Sequence, residues 1–135
     1  MTEAKNKLVK SWLTKAKHDL NAAYKLSVGD DPVLDYAVYH CQQAAEKALK
    51  GFLVYHDQRV DKTHDLRSLI LLISEIDKAF LAYQEVGFRL TPLATIYRYP
   101  GDEMQPDPAR FSEAFEDAQT IYYFVLSKLP EEVYP

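Results

Sequence analysis

Along most of the chain, apolar positions recur with a period near 3.6 residues, and no stretch shows the two-residue alternation of a half-buried strand. The pattern predicts an all-α fold, an antiparallel up-and-down four-helix bundle with one additional short helix. In the first segment Leu8, Trp12, Ala16, Leu20, Ala23 and Leu26 fall at steps of three and four and define an apolar stripe over about residues 5–28. Gly29, suited to a positive φ after a helix end, and Pro32, suited to a helix start, separate it from a second helix over about 33–56. That second helix turns Leu34, Ala37, Val38, Cys41, Ala45, Ala48, Phe52 and Tyr55 inward, and its small residues would let a neighbouring helix approach closely.

After the polar connection DQRVDKT, Thr63 is a suitable N-cap for HDLRSLILLISEI, whose run Leu69 to Ile73 is apolar around most of its circumference and should be buried on more than one side. Asp77 is placed to cap a continuation through Phe80, Leu81 and Val86. A further helical piece, TPLATIYR, ends where Pro100 pushes Tyr99 out of the α region. YPGDEMQPDP is the longest loop. Asp107-Pro108 then starts a last helix lined by Phe111, Ala114, Phe115, Ala118, Ile121, Tyr122, Val125 and Leu129. Residues 1–135 read as a single domain, without internal repeat or low-complexity tract.

The outer arc of the second helix changes this picture. Tyr36, Tyr39, Gln43, Lys47, Lys50 and Val54 fall within about 80° of one another, too aromatic for a plain solvated face. They suit a contact with another copy of the chain, a ligand whose ring and phosphate match tyrosine and lysine, or simple cover for the next helix.

The segments WLTKAKHDLNAAYKL, YHCQQAAEKALKGFL, THDLRSLI and YRYP, in this order before an acidic last helix, resemble the HEPN domain family, the higher-eukaryote and prokaryote nucleotide-binding domains. The resemblance covers nearly the whole chain. It implies a bundle of four long helices with a shorter extra one, commonly dimeric and similar to the C-terminal domain of kanamycin nucleotidyltransferase. It also implies one of two roles. Some members are RNA-cleaving toxins without a metal, carrying an arginine, a polar residue and a histidine four to six positions after the arginine; others are noncatalytic partners of a small separate nucleotidyltransferase, in toxin-antitoxin-like pairs.

Arg59 and His64 in RVDKTH have the cleaving spacing, with the histidine as general acid or base on a ribose hydroxyl and the arginine on the phosphate. Val60 departs from the polar slot, and the match lies in a connection instead of on a helix. His64 also reads as a first-turn residue beside Asp65. Arg98 and Tyr99 suit phosphate and base respectively, and Lys47 and Lys50 are further phosphate candidates. Arg98 competes for a structural role as ion-pair partner of Asp19, a carboxylate inside the first apolar stripe that would need a cation or donor. His40 and Cys41, about 100° apart on a helix, make a poor dyad.

Charge, cysteine use and hydropathy narrow the classes further. The net charge of −4 is uneven: six lysines against Glu3 and Asp19 give +4 over residues 1–28, while residues 100–135 carry −6. The two ends should attract each other, or one should meet a charged partner. A lone cysteine makes no internal disulfide, no metal-ligand spacing is present, and no cofactor motif occurs. No run approaches a membrane span and no secretory leader opens the chain, so a cytoplasmic location is expected. The leading expectation is a noncatalytic, homodimeric nucleotide- or substrate-binding subunit working with a minimal nucleotidyltransferase. An RNase toxin using Arg59 and His64, and a purely structural dimerisation module with Tyr36, Tyr39, Gln43 and Val54 at its interface, are the alternatives.

Overall fold

The computed structural model describes residues 2–101 and 105–135. Among them are five α-helices and no strand: α1 Thr2–Ser27, α2 Leu34–Tyr55, α3 Leu66–Ser74, α4 Gln84–Leu90 and α5 Pro108–Ser127. Short 3-10 turns at Lys78–Tyr83, Thr91–Ala94 and Glu131–Val133 complete the chain.

Helices α1 and α2 form a tight antiparallel pair. The Val33 N–H donates to the Leu26 carbonyl across the turn at 2.7 Å, Gly29 takes φ +96°, and at the far end Lys5 reaches Asp57 at 3.5 Å. Between these points the contact is made by small groups. Ala16, Ala23, Ala37, Ala44, Ala45 and Ala48 are all fully buried, and a Cβ placed on Gly51 would stand 3.2 Å from the Trp12 Cβ. The small residues of the second helix thus do what their spacing implied. The inward stripe of α1 is rotated from the expected one, however. Val9 and Leu13 are fully buried and Leu8 is 52% exposed, because Val9, Leu13, Ala16, Leu20 and Ala23 form the row that faces both α2 and α5.

Helix α5 runs parallel to α2. At one end the Asp35 N–H donates to Gln105 Oε1 at 3.3 Å; at the other, Phe52 and Phe124 flank Phe80 with ring centroids 4.7 and 4.8 Å away. Asp107 caps α5 as expected, its carboxylate accepting from the Arg110 N–H at 2.8 Å.

The remaining side of the bundle is assembled from short pieces. The chain leaving α2 doubles back, so that His64 lies against Gln42 and Glu46 at mid-helix. From there α3 runs outward and α4 returns antiparallel to it, with the Leu66 N–H donating to Thr91 Oγ1 at 3.0 Å and Gly87 packed on Ile70 and Leu66. The α3 cap is Asp65, which accepts from the Arg67 N–H at 3.1 Å and from the Ser68 hydroxyl at 2.8 Å. Thr63 instead receives the Asp65 N–H. The anticipated cap shifts by two residues because His64 is drawn to Glu46 and leaves the helical path. Asp77 caps the following 3-10 turn, as its position suggested.

The Leu69–Ile73 run is buried on one side only: Leu69, Ile70 and Ile73 face the core, while Leu71 and Leu72 are 51% and 37% exposed. Beyond one side of α2, only α4 and the 3-10 turns cover this part, too little mass to enclose a nine-residue helix. TPLATIYR likewise yields a 3-10 turn followed by looser turns, not a helix.

Phe80 joins α2 to α5 from within a 3-10 turn that has little cohesion of its own. Phe80→Ala is therefore expected to lower unfolding stability by about 3–5 kcal/mol, measured as a shift in the urea midpoint at unchanged slope.

Candidate functional site

Helix α2 carries an unusual line of polar side chains on the side turned to the short elements. Gln42, Gln43, Glu46 and Lys50 are all buried. Burying four such groups is unfavourable unless each finds partners, and here they do. Glu46 Oε1 receives the His64 Nδ1 at 2.7 Å and Gln42 Nε2 at 3.1 Å; Oε2 receives Lys50 Nζ at 2.8 Å. Gln42 Nε2 also donates to the His64 carbonyl at 3.0 Å, and Gln42 Oε1 accepts from Gln43 at 2.8 Å. Burial alone would raise the Glu46 pKa, but the hydrogen bonds from Lys50, His64 and Gln42 outweigh it and hold the carboxylate below its ordinary value.

A second cluster lies nearer the start of α2. Asp19 is buried on α1, and its two oxygens meet His40 Nδ1 at 2.8 Å and Lys47 Nζ at 2.7 Å. The expected donors to this carboxylate are present, but the predicted Asp19–Arg98 pair is not what forms. Lys47 and His40, one on each side of Asp19 along α2, reach it first. Arg98 instead lays its guanidinium over the Tyr39 ring, 4.3 Å from the centroid, with Tyr99 at 5.7 Å on the same group. Tyr39 in turn meets His40 edge to face at 5.3 Å. A continuous path therefore runs Tyr99, Arg98, Tyr39, His40, Asp19, Lys47, with the exposed arginine at its solvent end.

Set against the sequence expectations, the structure divides the outer arc of α2. Tyr36 is exposed and Tyr39 half-buried, as a contact face requires. Gln43 and Lys50 point inward, because the returning chain and the 3-10 turn at Thr91–Ala94 cover them; Lys50 is neutralised by Glu46 and faces no open surface for phosphate. Val54 is half-buried in a groove with Lys5, Leu8, Gln58 and Val60. His64 is largely exposed, with Nδ1 fixed on Glu46, whereas the exposed Arg59 side chain pairs with Asp61 at 3.1 Å in solvent. The arginine–histidine spacing thus gives one imidazole anchored on Glu46 and one solvent-exposed guanidinium paired with Asp61.

Three groups escape a reading of the sequence. His40 stands out there only beside Cys41, yet its spacing of seven from Lys47 puts both on the face that meets Asp19. Glu46 and its i−4 neighbour Gln42 attract no notice in the sequence, where only Lys50 of that row reads as a phosphate candidate. Arg89 makes two 2.9 Å bonds to buried Asp117, while Arg110 binds Glu113 and the Arg89 carbonyl; nothing in the one-dimensional spacing joins residues 28 apart. Among the described residues no group of three or more His, Cys, Asp or Glu is arranged to hold a metal ion, and no helix is long and apolar enough to cross a membrane.

The fold and the polar line on α2 define a helical bundle built around a polar-lined second helix. The sequence profile of the HEPN domain matches residues 9–129, and the chain belongs to that family. It is similar to TT1696 from Thermus thermophilus at 32% identity and a TM-score of 0.75, covering 90% of this chain and 98% of that one. It shares its fold with ST0689, an archaeal HEPN homologue, at 23% identity and a TM-score of 0.68, covering 89% and 96%. No curated protein matches the chain.

Because the native Glu46 carboxylate is held below its ordinary value of 4.5, the stability it contributes is present above that pH and is lost as pH falls through the lowered value. Glu46→Gln should flatten the acid limb of a stability-versus-pH curve and cost about 3–5 kcal/mol at pH 7 by leaving Lys50 buried without its counter-ion. Cys41, its thiol pushed up to about 12 by burial, should resist a disulfide-exchange reagent in the native protein and react only on unfolding.

Proposed function

We propose that this chain is a noncatalytic nucleotide-binding subunit that works beside a separate minimal nucleotidyltransferase. The observation that carries the reading is the Arg98 guanidinium stacked on Tyr39 and flanked by Tyr99, without an ion pair to any described carboxylate. A planar cation held on one aromatic face keeps its edge donors free for phosphate. The exposed Tyr99 ring adds a surface for a base. Family membership supports a nucleotide- or RNA-related role. Lys47 belongs to the site through Asp19, steadying His40 and Tyr39 from below.

The anchored His64 favours a second reading, cleavage of RNA. A carboxylate that fixes Nδ1 leaves Nε2 directed outward, the arrangement a general base needs. Against it, Arg59 is turned to Asp61.

Titration calorimetry with nucleoside monophosphates should give binding that weakens about 10-fold or more in Arg98→Ala, the scale of a lost charge-assisted contact. Absence of nucleotide binding at millimolar concentration, together with no capture of a nucleotidyltransferase-like chain in a pull-down, sinks the first reading. If His64→Ala leaves RNA cleavage and growth arrest unchanged, the second goes.

A further inference from the structure

The unequal charge along the chain is only partly resolved by folding. Of the six lysines on α1, Lys5 alone forms an ion pair among the described residues, and its partner is Asp57, not the acidic C-terminal segment. Of the acids of α5, Asp117 and Glu113 bind Arg89 and Arg110, and exposed Glu116 forms no ion pair among the described residues; Asp107 caps the helix. Helices α1 and α5 touch, yet no ion pair among the described residues joins them. Lys7, Lys10, Lys17 and Lys25 are exposed and unpaired. At 100° per residue they share an arc of about 80° with Thr14 and Asn21, centred about 160° around α1 from Asp19. Glu3 is the one acid in that arc. The row from Lys7 to Lys25 is about 27 Å long at the rise of an α-helix.

This row ends on a groove between α1 and α5. Lys17, Leu20, Asn21, Tyr24 and Lys25 form one wall; Phe115, Gln119, Tyr122 and Tyr123 form the other, around about 230 Å³ with no carboxylate in the lining. Tyr24 and Tyr123 are 57% and 59% exposed, although Tyr24 adjoins the half-buried ring of Phe115 and Tyr123 the buried ring of Tyr122. Two tyrosines left uncovered beside unpaired lysines suit a ligand that is both planar and anionic. The groove is smaller than a whole small-molecule pocket and fits one ring of a longer chain.

We propose that the lysine row of α1 and the Tyr24–Tyr123 groove form a track for single-stranded nucleic acid, separate from the Arg98 cluster. Phosphates lie along Lys7, Lys10, Lys17 and Lys25, and an unpaired base enters between the tyrosine rings. An anionic membrane is disfavoured because the apolar face of α1 is already spent on α2 and α5, leaving nothing to insert.

The test is fluorescence anisotropy of the full chain with labelled oligouridylate of about 20 nucleotides across a salt series. The double variant Lys17→Gln with Lys25→Gln should bind about 10-fold or more weakly and lower the salt slope by about 1.4. Tyr24→Ala with Tyr123→Ala should weaken binding about 5-fold or more at unchanged slope. All four side chains are exposed, so the variants should melt with the wild type. The Lys17→Arg, Lys25→Arg pair should restore binding, which guards against a folding artefact. The inference falls if the wild type does not bind, or if the lysine pair is silent while Arg98→Ala abolishes binding, which would assign the strand to the other face. Equal binding to phosphatidylserine vesicles with the tyrosine variants silent on both would overturn it in favour of a lipid surface.

Discussion

The near contact of α1 and α2 across alanine and Gly51 is the constraint from which the other features follow. With the helices this close, a side chain at the seam is either small or buried, and Asp19 is buried. Its charge is compensated by groups within reach on the facing helix, and His40 and Lys47 occupy those two positions. His40 then orients toward Asp19, Tyr39 meets its edge, and Arg98 finds a ring to stack on. An interaction at the seam thereby sets the position of an exposed guanidinium carried by a distant loop.

The opposite flank of α2 obeys the same physics with a different outcome. The two other long helices, α1 and α5, enclose only part of α2, and the remaining wall consists of pieces too short to supply a continuous apolar face. Polar side chains at Gln42, Gln43, Glu46 and Lys50 replace it, each bonded to another, and the returning chain is pinned through both the carbonyl and the ring of His64. Such a network loses more from one missing partner than an apolar patch of equal area would, since the remaining groups stay buried without water. That asymmetry argues that the network specifies the path of residues 56–65 in addition to filling space.

What could be read in advance was whatever depends on short-range periodicity. The long helices, the Asp77 and Asp107 caps, the positive φ at Gly29 and the small-residue seam all follow from residues within a few positions of one another. The rotation of the α1 stripe did not, because Leu8 and Val9 are equally apolar and only the position of α5 decides between them. Exposure of Leu71 and Leu72 was hidden for the same reason. Asp19 was recognisable as a carboxylate in need of a donor. Choosing His40 and Lys47 over Arg98 required knowing that α2, and not the YRYP turn, lies against that point of α1. Lys50 and Gln43 read as parts of an outer contact face because their cover arrives from a loop with no periodicity to announce it.

Arginine and lysine have separate uses in this molecule. Arg89 and Arg110, with planar forks suited to two-point contacts, are tied to the acids of α5 and to a backbone carbonyl, and Arg98 is stacked on an aromatic ring. The lysines of α1, whose compact ammonium groups tolerate hydration, stay in solvent except for Lys5. Had the α5 acids been spent on α1, the overall charge of −4 would be spread evenly and no face would stand out. Because the arginines take up Glu113 and Asp117 instead, a protein that is acidic in total keeps a positive helix face on α1. Steering of a charged partner depends on that local arrangement more than on the sum, since in cellular salt the field decays over about 8 Å.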